Sequence, residues 1–111
     1  MIRSKYRAIP TVVDGIRFAS KKEANRYQEL KILASAKKIL ALETNKAKLR
    51  WPLTVNGLKI CTYEADFGYV DPMKGERGEL IIEDVKGMKT PVYRIKKRLM
   101  KAIHGIDIQE V

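Results

Sequence analysis

The chain has 111 residues, of which 45% are hydrophobic and 32% are charged. That composition argues against intrinsic disorder, and the length suits one domain with its own core, residues 1–111. The chain contains 23 Lys and Arg residues and 13 Asp and Glu residues, so its formal net charge is +10. This positive charge favours a polyanionic partner such as nucleic acid.

Membrane insertion and export are not indicated. No apolar run reaches the roughly 20 residues that a membrane-spanning helix needs. The opening MIRSKYRAIP has no apolar stretch behind its basic residues, so it does not resemble a signal peptide. The single cysteine, Cys61, cannot form an internal disulfide, which fits a reducing compartment. We therefore expect a cytoplasmic protein with no membrane partner.

The first predicted elements are a short hairpin and a helix. Short apolar runs flank Asp14-Gly15, and glycine accepts the positive φ of a tight turn. Ser20 and Glu23 have the spacing of a capping box, which predicts a helix that begins after Ser20. One face should pack and the other stay in solvent, with Ala24, Tyr27, Leu30 and Ala34 inside and Lys21, Lys22, Arg26 and Lys37 outside.

Three strands are predicted next. The signal over residues 39–58 is mixed, but apolar residues alternate from Leu49 to Val55 and lead into the turn pair Asn56-Gly57. Residues 61–69 alternate with a period of two, and residues 79–86 return as the second strand of a hairpin. The strand over 61–69 should place on one face Cys61, Tyr63, Ala65, Phe67 and Tyr69, and on the other Thr62, Glu64, Asp66 and Gly68.

A second helix and a final strand follow. Thr90 is the expected N-cap, and Pro91 fits the first turn, where its missing N–H is not needed. Gly105 is expected to end the helix, and residues 106–111 alternate as a short strand. The predicted apolar stripe of this helix consists of Val92, Ile95, Leu99 and Ile103.

Acidic residues within these strand-forming runs define a candidate site. Asp84 and Lys86 are two residues apart, so they project to one face, and Asp66 lies on the neighbouring strand. Two carboxylates that meet in a low-dielectric place raise each other's pKa, and a divalent cation removes that penalty. Mg²⁺ fits because it prefers oxygen ligands, needs only one or two protein carboxylates and keeps waters that can be activated. Lys86 would polarise the attacking water or neutralise charge on a phosphate.

Glu23 is a third candidate acid, and two explanations of it stay open. The capping box by itself accounts for a glutamate at this position. A side chain in the first turn can also point toward the ends of strands that pack against the helix. Glu83 competes with Asp84, because a shift of one residue in register would exchange them. We favour Asp84, since it shares a face with Lys86.

The order Glu23, Asp66, Asp84-Val85-Lys86, on a helix and two strands, resembles the PD-(D/E)XK nuclease superfamily. Nearly the whole chain is similar to a compact family of phage and prophage endonucleases related to Holliday-junction resolvases, through segments such as FASKKE, ADF, EDVKG and TPVYRIKK. Two positions depart from the common pattern. Ala65 stands where the superfamily name has proline, and Asp84 stands where many members have glutamate.

This resemblance implies a restriction-endonuclease-like α/β fold, an αβββαβ core with a mixed sheet flanked by helices, preceded here by a β-hairpin. It also implies a Mg²⁺-dependent endodeoxyribonuclease, with Mn²⁺ able to substitute, that acts as a homodimer in a bacterial host cell. Branched DNA such as a Holliday junction is the preferred substrate, since so small a core leaves no room for a sequence-reading domain. The implied metal ligands are Asp66, Asp84, the carbonyl of Val85 and, directly or through water, Glu23; the implied catalytic residues are Glu23, Asp66, Asp84 and Lys86.

Two other functions remain open. A non-catalytic DNA- or RNA-binding module on the same scaffold would use the acids only for capping and surface roles, and would bind with strong salt dependence. A nuclease that acts on RNA is the other. For the DNA nuclease, as for these alternatives, the basic residues around the second helix are candidates for phosphate contact, or simply a solvated surface; they are Lys89, Arg94, Lys97 and Lys101.

Overall fold

The computed structural model describes residues 8–111, so most of the basic opening segment that was assessed for export lies outside the described residues. The chain is a mixed α/β protein. Its elements in order are β1 Thr11–Val13, β2 Ile16–Phe18, α1 Lys21–Ser35, β3 Leu40–Glu43, a 3₁₀ helix Lys46–Lys48, β4 Arg50–Val55, β5 Leu58–Glu64, β6 Phe67–Asp71, β7 Glu79–Asp84, α2 Pro91–Leu99 with a π-helical turn Met100–His104, and β8 Ile108–Glu110.

The central sheet is mixed and has four strands in the order β3-β6-β7-β8. β6 pairs antiparallel with both β3 and β7, whereas β8 joins β7 in parallel after the crossover through α2. Two further pairs, β1-β2 and β4-β5, are separate antiparallel hairpins. No helix within residues 8–111 is long and apolar enough to cross a membrane.

The predicted N-terminal hairpin and first helix are confirmed. Asp14 and Gly15 both have positive φ, 53° and 74°, as a two-residue turn between twisted strands requires. The Ser20 hydroxyl accepts the Glu23 N–H at 3.1 Å and caps α1. One prediction for this helix is wrong, because Arg26 is not solvated but forms an ion pair with Glu83 on β7.

The single strand predicted over residues 61–69 is wrong, since it is two strands in different sheets. β5 pairs only with β4, and β6 lies inside the central sheet. At the break, the Ala65 N–H donates to the Leu49 carbonyl at 2.9 Å, and the Asp66 N–H donates to the Glu83 carbonyl at 3.1 Å. Apolar alternation continues through the break because both strands bury one face, so the sequence pattern does not reveal the change of sheet.

The strand β3 was not predicted, and β7 is shorter than the strand predicted over residues 79–86. β3 pairs irregularly with β6: the register shifts between Leu40 and Glu43, where Ala41 has a positive φ of 53°. β7 ends at Asp84 instead of continuing to Lys86. The hairpin turn at Asn56-Gly57 and the β6-β7 hairpin are confirmed.

The apolar stripe predicted for α2 is also wrong in part. Val92 and Ile95 are 60% and 59% exposed, whereas Tyr93 and Met100 are buried. Tyr93 and Met100 are seven residues apart, so they share a face, and the Tyr93 hydroxyl donates to Glu110 on β8 at 2.8 Å. The predicted cap at Thr90 and the stop at Gly105, with φ of 69°, are confirmed.

Two hydrophobic clusters cover the two faces of the sheet. Phe67 packs with residues of α1 in one cluster, and Ile82 packs with Tyr93 and Met100 in the other. Because neighbouring residues of a strand point to opposite faces, Glu83 lies on the α1 side while Asp84 shares the α2 side with Ile82. This difference decides which of the two adjacent acids can reach the candidate site.

Candidate functional site

The predicted acidic residues line one open cleft of about 700 Å³. It lies where the first turn of α1, the 3₁₀ helix, the start of β6 and the end of β7 come together. The charged residues that line it include Lys22, Glu23, Lys46, Glu64, Asp66, Asp84 and Lys86, and Val85 lines it as well. The fold therefore brings all four proposed catalytic residues into one cleft.

Asp84 and Glu23 are the most buried acids in the cleft, each only 4% exposed. The Tyr63 hydroxyl donates to its Oδ2 at 2.6 Å, and Lys86 Nζ lies 3.3 Å from its Oδ1. Burial raises the pKa of Asp84 to about 6, and the nearby Asp66 carboxylate adds to that rise, while Tyr63 and Lys86 oppose it. The carboxylate is thus oriented by two neighbours but poorly solvated.

Asp66 is placed by the break between β5 and β6. Its Oδ2 accepts the backbone N–H of Val85 at 2.8 Å, which ties it to the end of β7. Its Oδ1 lies 3.2 Å from Lys46 Nζ. The break between β5 and β6, which the sequence did not predict, therefore places this carboxylate near Asp84.

Glu23 contributes both a helix start and a carboxylate in the cleft. Its backbone N–H is bound by the Ser20 cap, yet its side chain is only 6% exposed and faces Lys46 Nζ at 3.1 Å. Within residues 8–111, its buried Oε1 accepts no hydrogen bond of good geometry. Burial raises the pKa of Glu23, and the charge of Asp66 raises it further. Capping alone leaves this oxygen unexplained.

Lys86 lies two residues beyond the end of β7 and points into the cleft beside Asp84. Its ammonium lies 4.0 Å from the centre of the Tyr93 ring, a cation–π contact that fixes the end of the side chain. The side chain is 23% exposed, so it is accessible from the open side. The Lys86 carbonyl accepts from Lys22 Nζ at 2.9 Å, which joins this segment to α1.

Glu83 is excluded from the cleft by its place on the opposite face. Arg26 donates to both of its carboxylate oxygens, at 2.8 Å and 2.6 Å, and the Tyr69 hydroxyl donates to one of them. Its side chain is 2% exposed. The register therefore favours Asp84 over Glu83.

Three further side chains organise the cleft: Lys46, Tyr63 and Tyr93. Sequence analysis missed Lys46 and Tyr63, and it left open whether Tyr93 reaches the site. Lys46 lies in the stretch of mixed signal, where no pattern marked it. Tyr63 was assigned only to the packed face of its strand, and Tyr93 to the border of the apolar stripe of α2, although a buried tyrosine hydroxyl usually has a hydrogen-bond partner. Their partners here are acids, Asp84 and Glu110.

The basic residues proposed for DNA contact lie around α2 and β8. Lys89 and Lys97 lie 3.1 Å and 3.3 Å from Glu110, the residue paired with Asp84 across the parallel strands. The Tyr93 hydroxyl, followed by these two lysines, lowers the pKa of Glu110 to about 2. Of the other two, Lys101 lies 2.8 Å from Asp107 and Arg94 is exposed.

The donor atoms fit a hard divalent cation such as Mg²⁺. The cleft offers carboxylate oxygens from Asp66, Asp84 and Glu23, whose Oε1 has only an ion pair with Lys46 among the described residues, and one or two carboxylates with waters suffice for this ion. In residues 8–111 no three His, Cys, Asp or Glu side chains are already grouped closely enough to hold a metal. Lys46 lies between Glu23 and Asp66, so metal binding requires a local rearrangement.

The raised pKa of Asp84 predicts a pH-dependent stability. A carboxyl group with a higher pKa in the folded state, here about 6 against 3.8, binds its proton more tightly when folded. Its contribution to stability therefore falls as pH rises from about 4 to about 6, and stays low above that. Asparagine cannot ionise but can still accept from Tyr63, so we expect Asp84→Asn to stabilise the metal-free protein by about 3 kcal/mol at neutral pH.

Urea unfolding of wild type and Asp84→Asn, at about pH 7.5 and about pH 3.5, measures this difference. The gain should largely disappear at the acidic pH, where Asp84 is mostly protonated in both states. Equal free energies of unfolding for the two proteins at neutral pH would contradict a raised pKa.

Comparison with known proteins gives one family match. A family model described as "Protein of unknown function (DUF1064)" matches residues 3–108. No curated protein and no solved structure matches the sequence.

Proposed function

Since the chain belongs to the DUF1064 family, whose description assigns no function, we propose its activity from the cleft: Mg²⁺-dependent hydrolysis of DNA phosphodiester bonds by an endodeoxyribonuclease. The observation that carries this proposal is the meeting of Glu23, Asp66, Asp84 and Lys86, from three separate segments, in one open cleft.

The element order supports a restriction-endonuclease-like core as part of the proposal. α1, β3, β6, β7, α2 and β8 follow the order αβββαβ, and the β4-β5 hairpin is then an insertion between the first two strands of the core. The candidate site lies where β6 starts and β7 ends, with α1 contributing its first turn.

Burial of the acids favours an enzyme over a purely binding module. A module that used these acids for capping and surface charge would leave them in water, where ionisation is inexpensive. Asp84 and Glu23 are instead 4% exposed, and burial raises the pKa of both. Structures retain such unfavourable groups most often at functional sites.

Each residue has a defined task in the proposed reaction. Asp66 and Asp84 would hold the ion, with Glu23 as a direct or water-mediated third acid and the Val85 carbonyl as a further donor. A bound Mg²⁺ would supply charge neutralisation at the phosphate and a water of lowered pKa. Tyr63 fixes the orientation of Asp84 through its 2.6 Å hydrogen bond. Lys86, held over the Tyr93 ring, would position the attacking water or neutralise charge on the phosphate.

Branched DNA and a homodimer remain part of the proposal. The net charge of +10 suits a phosphate backbone, and two copies of the chain would place two sites on two strands. A panel of linear, nicked and four-way DNA, with duplex RNA alongside, separates substrate preference from general nuclease activity.

The test is cleavage of this panel by the pure protein in Mg²⁺, Mn²⁺ and EDTA. We expect cleavage with either metal, none in EDTA, and a loss of about 100-fold or more for Lys86→Ala. Lys74→Ala is the matched control, since Lys74 is exposed and is not among the residues that line the cleft. Salt-sensitive DNA binding without cleavage would identify the non-catalytic module instead.

A further inference from the structure

Lys46 occupies the position between two of the proposed ligand carboxylates. Its Nζ lies 3.1 Å from Glu23 Oε1 and 3.2 Å from Asp66 Oδ1. The two carboxylates are 6% and 14% exposed, whereas the lysine is 38% exposed. A single ammonium group therefore pairs with two carboxylates and offsets part of their negative charge.

A divalent ion on the same oxygens would need the same space. Mg²⁺ binds oxygen ligands at about 2.0–2.1 Å in an octahedral shell, closer than the ammonium lies. An ammonium left between the carboxylates would clash with that shell and repel the ion. The two cations therefore exclude each other.

We propose that Lys46 is an internal counter-ion of this site, which occupies the cation position in the metal-free protein and is displaced when a divalent metal binds. This inference rests on the proposed function, because it assumes that the carboxylates are metal ligands. It adds a residue that the family resemblance did not assign.

The position of Lys46 allows the displacement. The residue belongs to the 3₁₀ helix Lys46–Lys48, which Asn45 caps through a 3.0 Å bond to the Ala47 N–H, so the backbone is held locally. The lysine stem is long and flexible, and its partly exposed head can move into solvent. Displacement of the Lys46 ammonium from the two carboxylates therefore requires only a change of side-chain rotamer, without unfolding of the 3₁₀ helix.

Metal affinity should then reflect a competition between Lys46 and the ion. Lys46→Met keeps most of the length of the apolar stem but removes the charge. We expect it to bind Mn²⁺ about tenfold more tightly than wild type in isothermal titration calorimetry. Lys46→Arg keeps the positive charge and should stay within about threefold of wild type.

Lys48→Met is the matched control. Lys48 lies on the same 3₁₀ helix, is 69% exposed, and has only a distant partner, Glu43 at 3.8 Å. The Lys48→Met substitution removes one positive charge but changes no residue of the cleft, so the Mn²⁺ affinity of this variant should differ from that of wild type by less than about twofold. An equal gain for Lys46→Met and Lys48→Met would show a general charge effect and overturn the proposal.

A second readout uses the wild-type chain and does not depend on how a variant folds. Mn²⁺ should free the Lys46 ammonium, so acetylation of Lys46 by a water-soluble acylating reagent should accelerate several-fold, while that of Lys48 stays constant. Peptide mass spectrometry measures both rates. Unchanged Lys46 labelling in a protein shown to bind Mn²⁺ overturns the displacement.

The failure of this inference is distinguishable from the failure of the proposed function. If wild type binds Mn²⁺, cleaves DNA and depends on Asp84, but Lys46→Met gains no affinity, only the counter-ion role is wrong. If wild type binds no Mn²⁺, the nuclease proposal is wrong and the counter-ion role with it.

Discussion

Replacement of Asp84 by asparagine is expected to lower the Mg²⁺-dependent cleavage rate at least about 1,000-fold, equivalent to ~4 kcal/mol of transition-state stabilisation. The substitution keeps the shape of the side chain and an oxygen that can accept from Tyr63, but it removes the negative charge that a divalent ion requires. Initial rates on the best DNA substrate of the panel measure the effect.

Two comparisons make the Asp84 experiment decisive. Asp107→Asn changes the net charge equally, but its side chain is 68% exposed and pairs only with Lys101 among the described residues, so cleavage should stay within about twofold of wild type. Mn²⁺ titration should show weaker binding by Asp84→Asn alone. Because this variant is expected to be at least as stable as wild type, unfolding would not explain its loss of activity. Cleavage retained at the wild-type rate would remove Asp84 from the proposed mechanism.

The second large effect is expected on stability, from Arg26→Met. Arg26 forms a two-point contact with Glu83, whose side chain is 2% exposed. Removal of the guanidinium leaves a buried carboxylate with only the Tyr69 hydroxyl, which should cost about 3–5 kcal/mol at neutral pH. The free energy of unfolding in urea, by circular dichroism, gives the magnitude.

A double variant and an exposed control identify the cause. Arg26→Met combined with Glu83→Leu removes the unpaired charge, so it should recover most of the lost stability. Glu29→Gln removes the other partner of Arg26, which is 63% exposed, and should change stability by no more than about 0.5 kcal/mol. A double variant as unstable as Arg26→Met would mean that lost packing, and not the buried charge, is responsible.

Local signals in the sequence were sufficient for the helices and turns. The Ser20 cap, the Asp14-Gly15 and Asn56-Gly57 turns, the Thr90-Pro91 start and the Gly105 stop depend on interactions between near neighbours in the chain, and all are present. A capping or turn residue acts within a few positions, so its chemistry is visible without the rest of the fold.

The pairing of strands that are distant in the chain could not be predicted from such local signals. Strand β3 is irregular, and the change of sheet at Ala65 and Asp66 leaves the apolar alternation intact. The buried face of α2 packs in one cluster with Ile82 and Ile108 of the sheet, and it is centred on Tyr93 and Met100 instead of on the more hydrophobic Val92 and Ile95. These outcomes depend on partners that are distant in sequence.

The sequence by itself determined the candidate residues of this protein: three acids and a lysine in a fixed order, within a strongly basic chain. Only the tertiary structure decided that they share a cleft, that Asp84 and not Glu83 faces it, and that Lys46 lies among the acids. The physical reason is that side-chain charge is a local property of the chain. The burial that makes a charge costly, and the neighbour that compensates it, arise only when separate strands are brought into register.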